Sequence, residues 1–150
     1  MQCLGALIWK GKLGILMELM SHGDLRDAIA HDRVVWGPKA MRIAQDISAG
    51  LSYLHNRSRP IAHCDLKSPN ILLQYQETAA FCGFRAKICD CGLSHIISGS
   101  HLTVTTDTPY TFNWASPEQI DSGQLTCASD IFSFGVRPAG LPSLIWTNTA

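Results

Sequence analysis

The chain has 150 residues, 46% of them apolar, and its twelve basic and twelve acidic side chains cancel to a formal net charge of zero. This composition excludes a disordered tail and provides for one core, and without net charge or a run of like charges there is no field to draw the chain to nucleic acid or an anionic membrane. The longest apolar run, residues 4 to 9, is too short to span a bilayer and has no basic flank of the kind a signal peptide carries, so a cytoplasmic setting is expected.

Residues 3 to 8 and 13 to 19 are apolar runs joined by Trp9-Lys10-Gly11-Lys12, and their shortness and bounding glycines predict a strand hairpin. Gly23 opens a short segment of good helix formers with Leu25, Ala28 and Ile29 on one face. From 38 to 55, Pro38 suits a first helical position and Ala40, Ile43, Ala44, Ile47, Leu51 and Leu54 recur at helical spacing, which predicts a long, half-buried helix. Runs at 71 to 73 and 86 to 89 predict a second strand pair flanking a turn-like insertion, and residues 98 to 115 read as a polar, threonine-rich loop. Ser116, Pro117 and Gln119 form a helix-start signature, with the serine as cap. The last apolar helix, 126 to 136, is stopped by Pro138 and Pro142. There is no internal repeat.

The chemistry concentrates in His63-Cys64-Asp65-Leu66-Lys67-Ser68-Pro69-Asn70, between the long helix and a strand, where a loop presents several polar groups to one point. A carboxylate at Asp65 accepts a hydroxyl proton, an ammonium at Lys67 offsets charge on a moving phosphoryl group, and the amide oxygen of Asn70 ligates a hard cation such as Mg2+. Asp90 supplies a second hard-cation ligand. These residue types suit phosphoryl transfer. The six cysteines, at 3, 64, 82, 89, 91 and 127, follow no disulfide-scaffold spacing. Cys89 and Cys91 with Cys82, His63 and His95 admit a zinc module as a rival reading, but the paired two-residue gaps of zinc sites are missing, and small buried thiols are expected instead.

The stretch from His63 to Asn70 resembles the catalytic loop of protein kinases, His-Arg-Asp-Leu-Lys-x-x-Asn, and Asp90-Cys91-Gly92 resembles their Asp-Phe-Gly metal motif. Ser116-Pro117-Glu118 is similar to the Ala-Pro-Glu motif, and Asp130 to Gly135 to the start of the large helix that follows it. The match covers residues 3 to 136. The resemblance implies an α+β, protein-kinase-like fold with a mainly helical lower lobe and remnant upper-lobe strands and hinge, divided into a partial kinase domain at 1–136 and a tail at 137–150. It further implies ATP and Mg2+ as cofactors and a protein serine or threonine as substrate. In it Asp65 is the base, Lys67 the charge stabiliser, and Asn70 and Asp90 the metal ligands. Met17, Glu18, Met20, Asp24 and Leu72 are the nucleotide-binding set, with Met17 as gatekeeper, the Glu18 carbonyl and Met20 amide on adenine, and Asp24 on ribose. Lys67 with Ser68-Pro69 resembles the serine/threonine kinases of the tyrosine-kinase-like group, Thr111 falls where the family touches its catalytic Asp and Lys, and residues 110 to 114 resemble the substrate-docking loop. His63 is expected to pack and hydrogen-bond rather than titrate, and Asp130 to brace the loop backbone.

Departures from the pattern set further expectations. The glycine-rich loop, the strand lysine and the helix glutamate of the upper lobe do not occur in these residues, nor does the arginine that would pair with Glu118, so little or no transfer is expected from the chain alone. A pseudokinase-like binding module is the alternative. Asp65 and Asp90 lie 25 positions apart (90 minus 65), and the extra residues fall in 74 to 85. Cys91 stands where the family has phenylalanine. Cys64 stands where it has an arginine that grips a phosphate on the activation segment, so phosphorylation at Thr103, Thr105, Thr106 or Thr108 would not act through this loop.

Overall fold

Two antiparallel strands open the chain, β1 (Cys3–Trp9) and β2 (Lys12–Met17), turned through Lys10 and Gly11, which both have positive φ, 48° and 73°. Such a two-residue turn matches strand twist, and Gly11 takes its conformation without steric cost. The computed structural model describes residues 1–31, 33–34, 37–78, 81–97, 102–103 and 111–135. Every residue of β1, and all of β2 but Gly14, is solvent-exposed. β2 stops at Met17, two residues earlier than the apolar run implied, and the chain turns inward to bury Met20.

His22 and Gly23 then run beside β4 (Ile71–Thr78): the His22 N–H donates to the Leu73 carbonyl at 3.1 Å, and the Leu73 N–H to the Gly23 carbonyl at 2.8 Å. Asp24 caps α1 (Leu25–Ala30), its Oδ1 accepting from the Asp27 N–H at 2.9 Å, which satisfies one of the helix's orphan donors. As the spacing predicts, α1 buries Leu25, Ala28 and Ile29. The long helix α2 (Pro38–His55) has the expected bounds and buries Ile43, Ala44, Ile47 and Leu51. A Cβ on Gly50 would lie 3.0 Å from Ile88 Cδ1, so this glycine is what lets α2 lie against β5 (Phe81–Ile88). The core forms between α1, α2 and the β4–β5 pair around Leu25, Ile47, Leu51, Leu66, Leu73 and Phe84.

The turn-like insertion expected between strands at 71–73 and 86–89 is corrected by the structure. β4 and β5 pair from Ile71 opposite Ile88 to Thr78 opposite Phe81, so the extra residues lengthen both strands. The physical cause is a cross-strand aromatic pair: Tyr75 stands opposite Phe84 with ring centroids 5.6 Å apart, and His22 closes on Phe84 at 5.7 Å. Two short pairs follow, β3 (Ile61–Ala62) with β6 (His95–Ile96), and β7 (Leu102–Thr103) with β8 (Gln124–Leu125). β7 and a 3-10 turn at Phe112–Trp114 replace parts of the expected 98–115 loop. In α3 (Pro117–Ser122), Ser116 caps with its backbone carbonyl, which accepts from Gln119 and Ile120 N–H groups at 3.0 Å, and not with its hydroxyl. The last described element is α4 (Cys127–Gly135). Val136, Pro138, Pro142 and the tail at 137–150 lie outside the described residues, which contain no helix long and apolar enough to cross a membrane.

Candidate active site

The segment from His63 to Asn70 is anchored from beneath by Asp130, which is 1% exposed in the first turn of α4. Its Oδ2 accepts the His63 N–H at 2.8 Å and its Oδ1 the Cys64 N–H at 2.9 Å. Two successive backbone N–H groups converging on one carboxylate draw Cys64 into the left-handed region, φ 69°. His55, at the end of α2, reaches the same Oδ2 with Nε2 at 2.8 Å. Nothing in the sequence marked His55, because its partner lies 75 positions away.

His63 is fully buried, and its Nε2 meets the Cys89 carbonyl at 2.9 Å, so the ring ties the loop to the end of β5. Burial works against its protonation, but hydrogen bonding to Cys91 and to the Cys89 carbonyl, with the Asp130 charge, raises its pKa.

Four sequence-predicted residues meet in front of this anchor. Lys67 Nζ lies 2.7 Å from Asp65 Oδ2 and donates to Thr111 Oγ1 at 2.8 Å, and the Thr111 hydroxyl donates to Asp65 Oδ1 at 2.7 Å. Asn70 donates through Nδ2 to the Asp65 carbonyl at 2.8 Å and to Asp65 Oδ2 at 3.2 Å, which leaves its amide oxygen turned from the carboxylate. The 3-10 turn Ser68–Asn70, with Pro69 near its start, brings Asn70 back toward Asp65. Asp65 is thus held by three donors with its side chain only 8% exposed.

Asp90 stands just past the β4–β5 ladder, where the Cys89 N–H donates to the Asn70 carbonyl at 2.9 Å, so Asn70 and Asp90 occupy the same end of the hairpin. It too is left-handed, at φ 60°, and exposed, with Gly92 N–H 3.4 Å from its Oδ1. A Cβ on Gly92 would lie 3.2 Å from that oxygen, so glycine keeps this side of the carboxylate clear. A side-chain carboxylate and an amide oxygen are the donor types that Mg2+ takes, and these two fit it.

The expected nucleotide set is partly assembled. Asp24 and Leu72 form a single β-bridge, and Met20 is buried nearby in sequence. Met17 stands 45% exposed on the hairpin. Glu18 uses its carboxylate locally: Oε2 takes Lys87 Nζ at 2.6 Å and Oε1 the Gln2 N–H at 2.6 Å. The Lys87 hydrogen bond first, and then the Gln2 N–H, hold that carboxyl below its usual pKa. Lys87 gave no signal in the sequence, since it lies 69 positions from Glu18.

The expectation of small buried thiols is corrected. Cys3, Cys82 and Cys91 are exposed and Cys64, Cys89 and Cys127 only partly covered, because they sit on strands, on the turns and loops that follow them, and, for Cys127, at the start of α4. Burial, then the Asp130 charge, pushes the Cys64 thiol up to about 12, whereas a hydrogen bond from His63 lowers that of Cys91. Of the expected phosphorylation positions, Thr105, Thr106 and Thr108 lie outside the described residues, as does Tyr110, and Thr103 is described as backbone in β7.

A family described as protein tyrosine and serine/threonine kinase matches residues 1–139. Among individual proteins, the chain is 42% identical over 121 residues to "Proline-rich receptor-like protein kinase PERK2" of Arabidopsis thaliana, covering 80% of this chain and 15% of that protein. It is 37% identical over 129 residues to "Probable serine/threonine-protein kinase PBL28" of the same plant, covering 81% of this chain and 32% of the relative. It is also 33% identical over 137 residues to the plant's "Serine/threonine-protein kinase CTR1", with 89% and 16% covered. The chain therefore spans 15 to 32% of the length of these three relatives.

Proposed function

The chain belongs to the protein tyrosine and serine/threonine kinase family, and from that premise we propose that its site serves ATP-dependent phosphorylation of a serine or threonine hydroxyl in a protein, in the manner of the tyrosine-kinase-like group. The observation that carries this reading is the closed cluster of Asp65, Lys67, Thr111 and Asn70. A hydroxyl oxygen of the substrate forms its bond to the γ-phosphorus as the bond to the β,γ-bridging oxygen breaks, its proton passes to Asp65, and ADP leaves. Lys67 places an ammonium beside the transferring group, and Thr111 fixes the Asp65 and Lys67 side chains in one orientation. Asn70 through its amide oxygen and Asp90 through its carboxylate would hold Mg2+, whose charge offsets that of the phosphates when bound. Met17, the Glu18 carbonyl, the Met20 N–H and Leu72 would contact adenine, and Asp24 would turn to ribose the Oδ2 that now lies 3.9 Å from Arg26 Nη2, while Oδ1 caps α1.

Phosphoryl transfer depends on positioning and electrostatics, and these 150 residues include no glycine-rich loop to close over the triphosphate. We therefore read the isolated chain as binding Mg-ATP with slow transfer or none, which keeps a non-catalytic nucleotide-binding module as the second reading. In a thermal-shift titration, Mg-ATP raises the unfolding midpoint with concentration, and Asp90→Asn removes most of the Mg2+-dependent part. No shift at millimolar Mg-ATP would overturn the nucleotide site. Robust transfer to a generic substrate, lost in Asp65→Ala, would overturn the claim of slow transfer.

A further inference from the structure

Lys87 has no part in the phosphoryl transfer described above, yet its side chain is committed to a carboxylate 69 positions away. On β5 it stands opposite Leu72 of β4, and strand alternation turns both from the core that takes their neighbours Ile71, Leu73, Ala86 and Ile88. Lys87 and Leu72 thus lie side by side on the face toward which Glu18 reaches. There Glu18 Oε2 receives Lys87 Nζ at 2.6 Å, while Oε1 receives the Gln2 N–H at 2.6 Å. Further along, the His22 N–H donates to the Leu73 carbonyl, the Leu73 N–H donates to the Gly23 carbonyl, and Asp24 forms its bridge with Leu72. Segment 18–23 is therefore tied to the β4–β5 pair at both ends, by an ion pair at Glu18 and by backbone hydrogen bonds at His22 and Gly23.

We propose that Lys87 is a positioning residue for the nucleotide: its grip on the Glu18 carboxylate holds segment 18–23 at a fixed height over Leu72, so that the Glu18 carbonyl and the Met20 N–H meet the edge of adenine and reject a purine with the opposite order of donor and acceptor. The inference rests on the nucleotide site proposed above and adds to it the residue that sets its geometry. The side chains of Lys87 and Glu18 are 38% and 20% exposed, and an ion pair in such contact with water adds little to stability, so its consequence lies in where it puts the segment. With the carboxylate spent on Lys87 and Gln2, what Glu18 offers a base is its backbone. Without Lys87 the Glu18 end loses this tie to β5, and the base has to order the segment as it binds, at a cost in affinity. A loosened segment also adapts to the wrong base, which lowers selectivity.

The test is a thermal-shift titration of the 150-residue chain with Mg-ATP and, separately, with Mg-inosine triphosphate, in which a carbonyl oxygen replaces the adenine amino group. Lys87→Met is expected to weaken Mg-ATP binding about tenfold and Mg-inosine triphosphate binding less than about twofold, so that the preference for adenine falls. Lys87→Arg keeps a cation within reach of Glu18 and is expected to stay within about threefold of the unsubstituted chain. Glu18→Gln keeps an acceptor for the Gln2 N–H but loses the charge; it is expected to match Lys87→Met, and the double variant to bind no more weakly than either single one, because both remove the same contact. If Lys87→Met lowers the midpoint without nucleotide, the comparison is made with Glu18→Gln and Lys87→Arg. Equal weakening toward both nucleotides overturns the proposal, since Lys87 would then act on the phosphates they share. Additive losses in the double variant overturn it too. Unchanged Mg-ATP affinity in Lys87→Met and Glu18→Gln overturns it while the nucleotide site stands, whereas no shift with Mg-ATP in the unsubstituted chain overturns both.

Discussion

Asp130 shows how one buried side chain fixes the geometry of a site it does not belong to. It faces two backbone donors and a histidine at once, and the loop conformation that presents Asp65 follows from satisfying it. Asp130→Ala leaves the His63 and Cys64 N–H groups without an acceptor, and at roughly 1–3 kcal/mol for each stranded buried donor the expected loss is about 3 kcal/mol, read by urea unfolding. If the loss were below about 0.5 kcal/mol, the anchor would be ornamental. Cys64 carries the strain of this arrangement, since left-handed backbone costs a side-chain-bearing residue roughly 1–2 kcal/mol. The thiols give a second test, because only the thiolate alkylates. As pH rises, Cys91, with its pKa lowered by His63, reacts with iodoacetamide ahead of Cys64, which stays protonated until about pH 12. Peptide mass mapping at pH 7.5 that found Cys64 labelled first would contradict these environments.

At the scale of elements, α2 was legible because its apolar residues recur at 3.6 spacing over 18 residues and Pro38 marks its start. Its stabilising role rests on Ile47, fully buried against the β4–β5 pair. Ile47→Ala is expected to cost about 3 kcal/mol, through lost burial and the cavity left behind, measured as a lowered urea midpoint with unchanged slope. The β4–β5 pair was legible only at its base. Local sequence shows where apolar residues cluster, but the extension to Thr78 and Phe81 depends on Tyr75 meeting Phe84 across the ladder and on His22 arriving from a distant segment.

At the scale of the whole molecule, stability is unevenly distributed. The core ties α1, α2, β4 and β5 together, while β1 and β2 stand exposed outside it. Hydrogen exchange is expected to follow this division: at low protein concentration, amides of β1 and β2 exchange at least a hundredfold faster than those of α2 and β5. Equal protection in the two regions would mean that the hairpin is held as firmly as the core. The same division runs through the proposed site, since Asp65, Lys67 and Asn70 rest on the core whereas Met17, expected at the nucleotide, sits on the exposed hairpin.

The amino-acid sequence by itself determined which residue types share one loop, because Asp65, Lys67 and Asn70 stand at short fixed offsets, and a carboxylate, an ammonium and an amide so spaced are what the proposed phosphoryl transfer needs. It likewise determined α1 and α2, whose burial follows a local period. Only the tertiary structure decided what those residues lean on. Asp130 reaches the loop from 67 positions away, Thr111 meets Asp65 from 46 and Lys87 meets Glu18 from 69. Contacts at such separations arise from packing of elements against one another, and no local pattern of residues encodes them.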